Sequence, residues 1–205
     1  MAKTATGEER DTKSLLLEAG MAVMFEKGYT NTGIQEVLSS VGVPKGSFYH
    51  YFESKEDFAL KIVLHVEQNY SNLLTKYLRD SEFTPTARLR KYCEDKKKDL
   101  SEQRCRKGCL IGNLSQEMAD QSEVLRVELA RVMGKWRDLY AACIEEGQAC
   151  GEITKEFSPQ SLAEMFLCGW EGAIMRSKTQ KTTEPMECFI EVMFGQVLKP
   201  CTGKK

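Results

Sequence analysis

The chain of 205 residues lacks any apolar stretch long enough to cross a membrane. Its longest run without Asp, Glu, Lys or Arg covers nine residues, 108–116, whereas a membrane helix needs about 18 or more apolar residues. The first residues also lack the apolar core of a secretory signal. We therefore expect a cytoplasmic protein that makes no contact with a membrane.

The chain also lacks an excess of positive charge, since its net charge is −1. The first 56 residues hold six basic and eight acidic side chains. A protein that holds nucleic acid through bulk positive charge would be strongly basic. Any binding of DNA must therefore depend on a few well-placed donors rather than on a basic surface.

The usual signs of a metal site are missing as well. There are eight cysteines but no Cys-x-x-Cys pair, and there are two histidines, His50 and His65. A zinc site needs ligand pairs at short spacing, so we expect no metal ion and no other cofactor. In a reducing compartment most of the thiols should be free, and most should be small buried side chains.

Strand signals are nearly absent, and apolar residues recur every three or four positions along most of the chain. This spacing is typical of amphipathic helices. Thr32 is placed to cap the second helix and Pro44 to occupy the first position of the third. Ser54 and Ser158 precede two longer helices as caps. The pattern predicts an all-α fold of about nine helices.

One window, residues 28–58, predicts a specific motif. Two short helices joined near Gly42 fit a helix-turn-helix, whose second helix lies in the major groove of DNA. In that second helix, residues 44–51, Phe48 points inward together with Phe52 one turn later. The opposite face concentrates polar side chains, as a recognition helix requires.

Each residue on that polar face has chemistry that suits double-stranded DNA. Lys45 and Lys55 are cations for phosphate groups. Ser47 and Tyr49 offer hydroxyl groups, and Gly46 lets the backbone approach the double helix closely. We expect this small set of donors to bind a DNA operator.

The same window closely resembles the DNA-binding region of the TetR family of transcriptional regulators. The matching segments are Gly28-Tyr29, Gly42-Val43, the run from Lys45 to Phe52, and Ser54-Lys55-Glu56. Pro44 departs from the family pattern, which often has Ser at that position.

The resemblance implies a helix-turn-helix DNA-binding domain over residues 1–53 and a helical ligand-binding and dimerisation domain over residues 54–205. It implies a repressor that binds a palindromic operator as a homodimer and that a small molecule releases, without enzymatic activity. It assigns DNA contacts to six residues, namely Thr32, Lys45, Ser47, Tyr49, His50 and Lys55.

Two apolar stripes near the end of the chain, residues 162–174 and 186–198, have matching spacing and are rich in Met and aromatic residues. Both must be buried, because a helix stabilises a fold through its apolar face. They either pack on each other within one subunit or pair with their mates across a two-fold axis. The second arrangement is a four-helix bundle, which the family resemblance also implies.

The resemblance places an effector in the second domain. Any single apolar residue there is more simply explained as core. Because few ionisable groups fall on the apolar stripes that would line this cavity, we expect a small effector that is apolar or weakly polar. The candidate walls of its cavity are Tyr92, Leu110, Leu114, Met118, Met133, Trp136 and Tyr140.

Cys109 is a candidate sensing thiol. It directly precedes the predicted helix 110–118, so its sulfur can lie near the positive end of the helix dipole. Three basic residues at positions 104–107 add positive charge. Both effects favour the thiolate, which oxidants and electrophiles attack, and Cys105 is near enough in sequence to act as a resolving thiol. The alternative is that Cys109 is an ordinary small buried side chain.

Two other functions fit parts of the sequence. Cys105 and Cys109 would suit a cytosolic thiol-based redox protein, although no histidine lies nearby in the sequence to act as base. A regulator that sequesters a partner protein without touching DNA is the other. Lys45, Tyr49 and Lys55 are intact, which argues against that function.

Overall fold

The computed structural model describes the backbone of residues 5–200 and the side chains of residues 12–200. Within these ranges the chain forms nine α-helices and no strand, which confirms the predicted all-α fold. Among the described residues, no helix combines the length and the apolar character that crossing a bilayer requires. The helices are α1 (Ala5–Lys27), α2 (Ile34–Val41), α3 (Lys45–Tyr51), α4 (Lys55–Leu78), α5 (Pro85–Glu102), α6 (Leu110–Met118), α7 (Glu123–Ala149), α8 (Pro159–Gln180) and α9 (Glu184–Val192), and a π-helical turn, Met193–Val197, follows α9.

Two of the predicted helix caps are confirmed. The Asp57 N–H donates to the Ser54 side-chain oxygen at 3.0 Å, at the start of α4. The Ser161 N–H donates to the Ser158 side-chain oxygen at 3.1 Å, at the start of α8. In both cases the serine oxygen accepts a helical N–H that has no partner within the helix.

The prediction that Thr32 caps α2 is wrong, because Gly33 is the N-cap residue. The Thr32 hydroxyl instead donates to the backbone oxygen of Gly28 at 2.6 Å, inside the turn between α1 and α2. Pro44 is the N-cap of α3, one position earlier than predicted, and α3 begins at Lys45. Thr32 therefore stabilises the turn between α1 and α2 and does not cap α2.

Close packing groups the chain into two compact units. The first unit contains the chain up to Gln68 together with Leu110–Ala130. The second contains Asn69–Cys109 and the chain from Arg131 onward. The predicted DNA-binding domain, residues 1–53, lies within the first unit, which also takes in the beginning of α4 and all of α6.

Close packing within the first unit explains why α4 contributes to it. Phe58 and Ile62 of α4 are fully buried. A Cβ atom at Gly20 of α1 would lie 2.2 Å from the Phe58 ring and 2.8 Å from the Ile62 side chain. The two helices approach so closely that only glycine fits at this position.

Candidate nucleic-acid interface and effector region

The inner face of α3 is fixed by aromatic side chains within the first unit. Phe48 is fully buried and Phe52 is 1% exposed, which confirms that both belong to the core. Their ring centroids lie 5.1 Å apart, and each ring also contacts Phe58 of α4, at 5.1 Å and 4.7 Å. The two contacts with Phe58 are edge-to-face, and such contacts are directional, so they hold α3 at one orientation.

The outer face of α3 presents the predicted DNA-binding residues to solvent. Lys45, Gly46, Tyr49 and His50 are exposed, and Ser47 is half-buried. A Cβ atom at Gly46 would meet nothing within 4 Å. The packing of the fold therefore does not require glycine at this position.

The remaining two predicted contacts, Thr32 and Lys55, are engaged inside the first unit. Thr32 is 3% exposed. The Lys55 ammonium donates to the backbone oxygen of Thr30 at 3.0 Å and lies 4.6 Å from the centre of the Tyr29 ring. Burial lowers the pKa of Lys55, and the nearby Glu117 carboxylate opposes that shift. Both residues thus hold the turn between α1 and α2.

The same turn is also bound by Glu117 of α6, a residue that the sequence analysis did not predict. Its carboxylate accepts the N–H groups of Tyr29 at 2.8 Å and of Thr30 at 2.7 Å. Burial alone would raise the pKa of Glu117, but these hydrogen bonds and Lys55 hold it below its ordinary value. Gly28 has φ +75°, and a Cβ there would lie 2.5 Å from a Glu117 oxygen. The turn therefore needs glycine both for its backbone and for the carboxylate.

The seven predicted effector residues do not all fall in one compact unit. Leu110, Leu114 and Met118 belong to the first unit, where all three are buried. The other four belong to the second unit, where Met133 is half-buried and the rest are almost completely buried, namely Tyr92, Trp136 and Tyr140.

The second unit gathers polar groups around Tyr92 in its interior. The Tyr92 hydroxyl is hydrogen-bonded to that of Tyr70 and to that of Tyr140. It also accepts the Nε1–H of Trp170 at 3.1 Å. Burial raises the pKa of all three tyrosines well above the ordinary value, so their hydroxyls are neutral donors and acceptors at physiological pH.

Trp136 borders this group and carries a donor that lacks an acceptor. Its ring centroid lies 4.4 Å from that of Tyr70. Its Nε1–H is buried and has no hydrogen-bond partner among the described residues. Leaving a buried donor unsatisfied costs about 1–3 kcal/mol. A ligand that supplied an oxygen atom at this point would recover that free energy.

Cys109 and Cys105 both lie in the second unit, in the segment before α6. Cys109 is half-buried and directly precedes α6, whereas Cys105 is 3% exposed. The Cys105 backbone oxygen accepts the Lys181 ammonium at 3.3 Å. The Cys109 thiol is hydrogen-bonded to the carboxyl group of Glu171 on α8, a residue that the sequence had not singled out.

The two apolar stripes of α8 and α9 do pack on each other within one subunit. The rings of Phe166 and Phe189 are 5.3 Å apart, and a Cβ at Gly169 would lie 2.8 Å from Phe189. The helices also leave apolar surface open to solvent, with Met165 55% and Val192 49% exposed. These two residues line a groove of about 910 Å³ between the helices.

Comparison with known proteins identifies the family through both parts of the chain. The family described as bacterial regulatory proteins, tetR family, matches residues 16–62. The family described as tetracyclin repressor-like, C-terminal domain, matches residues 85–193. The second match covers more than half of the chain, so the likeness extends well beyond the helix-turn-helix.

Individual relatives agree with the family matches. The transcriptional regulator AcuR of Cereibacter sphaeroides is 39% identical over 88% of this chain and 82% of its own length. The HTH-type transcriptional repressor DhaR of a Mycobacterium species is 36% identical over 89% of this chain and 90% of its own.

A solved structure gives the same answer for the fold. The crystal structure of the reduced form of Escherichia coli NemR has a TM-score of 0.84 and 29% identity, and the match covers 93% of this chain and all of that one. Together with the family matches and the relatives, this shows that the chain belongs to the TetR family of DNA-binding transcriptional regulators.

Proposed function

We propose that the chain is a transcriptional repressor that binds a palindromic operator as a homodimer and leaves it when an effector binds or when Cys109 is modified. The observation that carries the proposal is the exposed polar face of α3 on its buried aromatic base. Two of the relatives, DhaR and NemR, are named as transcriptional repressors, which supports the direction of control.

The DNA contacts divide into two kinds. Lys45 and Ser47 stand on the first turn of α3, and the start of a recognition helix is the part that meets base edges. Tyr49 and Lys55 suit phosphate groups, which fix the register of a protein on DNA without reading sequence. Gly46 and His50 complete the exposed face, and Thr32 acts from beneath by bracing the preceding turn.

The homodimer is proposed to form through the exposed face of α8 and α9. Apolar side chains such as Met165 and Val192 are unfavourable in water and line a common groove. A two-fold pairing of α8 and α9 with their mates would bury them in a four-helix bundle. The two copies of α3 would then read half-sites about 34 Å apart, one turn of B-DNA.

The effector is proposed to be small and uncharged or weakly polar, and to bind in the second unit beside Trp136. The free Nε1–H of Trp136 offers it a hydrogen bond, and the hydroxyls of Tyr92 and Tyr140 lie in the same polar group. Met133 adds a half-buried thioether. Leu110, Leu114 and Met118 have a different role, because they form the buried face of α6 within the first unit.

Modification of Cys109 is proposed as a second route to release. A group attached to its sulfur sits one residue before α6. The same helix carries Glu117, which holds the turn before α2 through two hydrogen bonds. A displaced α6 would therefore loosen the support of the helix-turn-helix. Cys105 is the candidate resolving thiol, because it is the nearest cysteine along the chain.

Binding of DNA is tested by mobility shift and footprinting on the region upstream of the protein's own gene. We expect a protected palindrome, and we expect base changes in one half-site to abolish the shift. Tyr49→Ala combined with Lys55→Ala should weaken binding to every sequence, because both residues are assigned to phosphate. Wild-type affinity in that double variant would show that the assignment is wrong.

The dimer surface is tested by light scattering at micromolar concentration. Val192→Glu should give monomers that no longer bind the full palindrome. Val127→Glu is the matched control, since Val127 is 52% exposed on α7 and Val192 is 49% exposed on α9. A monomeric wild-type protein would contradict the proposal.

The two routes of release are separated by two variants. Trp136→Phe keeps an aromatic ring, although a smaller one, and removes the N–H donor, so it should weaken release by a reversible effector and leave release by thiol reagents intact. Cys109→Ser should do the reverse. A candidate effector that releases DNA without changing Trp136 fluorescence would place its site elsewhere.

A further inference from the structure

The Cys109–Glu171 pair joins a nucleophile to a carboxyl group inside the second unit. The thiol donates a hydrogen bond to the carboxylate of Glu171 on α8. Cys109 is half-buried, so the residue is not sealed inside the core. A thiol hydrogen-bonded to a carboxylate has the geometry in which a base can take its proton.

The groups that surround this pair come from three helices. Burial and electrostatic interaction with Cys109 and Glu171 raise the pKa of Tyr70 on α4. Burial and interaction with Glu171 also raise the pKa of Tyr140 on α7 and of Cys168 on α8. The basic side chains that precede Cys109, at positions 104, 106 and 107, are exposed to solvent. Charges in water are strongly screened, so the direct contact with Glu171 is the nearer influence on the thiol.

We propose that Glu171 is the general base that activates Cys109 toward small electrophiles. This inference rests on the proposed modification of Cys109 and names the residue that makes the modification fast. It replaces the exposed cations predicted from the sequence with a half-buried carboxylate as the activating group. It also explains why a charged residue stands on the apolar side of α8, next to Trp170 and one turn after Leu167, both of which are buried.

The step balances with a simple carbon electrophile such as iodoacetamide. The sulfur electron pair forms an S–C bond while the C–I bond breaks and iodide leaves with its electrons. The S–H proton passes to a Glu171 carboxylate oxygen and from there to water. No oxidant or reductant is needed, and Glu171 returns to its starting form.

The activation should depend on pH through Glu171. Burial raises the pKa of Glu171 to about 7, although the hydrogen bond from Cys109 opposes the shift. The carboxylate, which is the form that accepts a proton, therefore appears as pH rises through neutrality. Its pKa lies close enough to that of a free thiol, about 8.5, for proton transfer as the S–C bond forms.

The test is the rate of alkylation of Cys109 by iodoacetamide in the full-length protein, followed by mass spectrometry of the tryptic peptide that contains this cysteine. Between pH 5 and 9 the wild-type rate constant should rise with a midpoint near pH 7. Glu171→Gln should lose this rise and react at least about tenfold more slowly at pH 7. Glu171→Asp should restore part of it.

Glu164→Gln provides the matched control. Glu164 is an exposed glutamate on the same helix, 3.7 Å from the sulfur of Cys168, so its loss should leave the Cys109 rate unchanged. An equal or faster reaction in Glu171→Gln would overturn the proposal, since it would show that Glu171 acts only as a negative charge that disfavours the thiolate. Should Glu171→Gln fail to fold, a wild-type midpoint near 8.5 instead of 7 would overturn it equally.

A parallel mobility shift distinguishes this inference from the proposed function. Glu171-dependent alkylation that leaves DNA bound would confirm the base and contradict thiol-triggered release. Release of DNA by iodoacetamide at the same rate in wild type and Glu171→Gln would support thiol-triggered release and contradict the role of Glu171 as base.

Discussion

The helix-turn-helix and the interior of the second unit use polar residues in opposite ways. On α3, Lys45 and Tyr49 stand in water above an apolar base made by Phe48 and its neighbours. In the second unit, the hydroxyl of Tyr92 is completely buried and is satisfied by other side chains. The polar side chains on α3 are exposed and can bind DNA directly, whereas the polar groups around Tyr92 are already hydrogen-bonded to one another.

This difference separates stability from function in one region and couples them in the other. An exposed side chain can be removed with little effect on folding, because water replaces its contacts. A buried polar group leaves its partners unsatisfied when it is removed, at about 1–3 kcal/mol each. Variants of α3 should therefore lose DNA without losing the fold, and variants of the buried group should change both.

The largest expected effect is on DNA binding. Lys45→Ala combined with Tyr49→Ala should weaken binding to the operator about 1000-fold, since each such contact contributes about 1–3 kcal/mol. The urea midpoint should stay at the wild-type value, because both side chains are exposed. Lys155→Ala, an exposed lysine outside the helix-turn-helix, serves as control. A lower urea midpoint in the double variant would contradict the claim that these two side chains contribute to DNA binding and not to stability.

The next effect concerns Glu171 and runs in the stabilising direction. Its pKa is raised from 4.5 to about 7 by burial, so the folded protein holds a proton that the unfolded chain releases between these values. Stability should therefore fall as pH rises through this window. Glu171→Gln should match the wild type near pH 4.5 and exceed it by up to about 3 kcal/mol at pH 8.5.

Urea unfolding of both proteins at several pH values measures this difference directly. Glu164→Gln, an exposed neighbour on α8, should show no such trend. A wild-type protein that gains stability relative to Glu171→Gln as pH rises would show that the carboxyl group is not stabilised in its protonated form.

A smaller effect should appear at Gly46, where stability and binding are expected to move in opposite directions. Gly46→Ala adds a methyl group that meets nothing within the protein, and alanine stabilises a helix by up to about 1 kcal/mol relative to glycine. The same methyl group should obstruct DNA and weaken binding about tenfold if the backbone approaches closely. Unchanged operator affinity would show that α3 does not approach DNA through this residue.

The smallest effect should come from Glu117, which is half-buried. Glu117→Gln weakens two hydrogen bonds to the turn, and partial exposure limits the loss to about 1 kcal/mol. Because the folded pKa lies below 4.5, this contribution is present at neutral pH and disappears as pH falls through the folded value. Hydrogen exchange at the Tyr29 and Thr30 amides measures the loosening, and unchanged protection at pH 7 would contradict it.

Much of the first region could be predicted from the sequence because its signals are local. The inward Phe48 and Phe52 and the exposed Lys45 and Tyr49 follow from helical spacing alone. The error at Thr32 is also local in kind, since a threonine before a helix can cap it or bond back into the preceding turn. Glu117 escaped prediction because its partners, Tyr29 and Thr30, are nearly ninety residues away in the chain.

The sequence by itself determined the helices, the caps at Ser54 and Ser158, and the face of α3 that meets solvent. These depend on neighbours within a few residues, whose chemistry the chain order fixes. Only the tertiary structure decided which polar groups meet in the interior. Tyr70, Tyr92, Tyr140 and Glu171 come from four different helices, and their pKa values and hydrogen bonds exist only once burial removes water and brings them together.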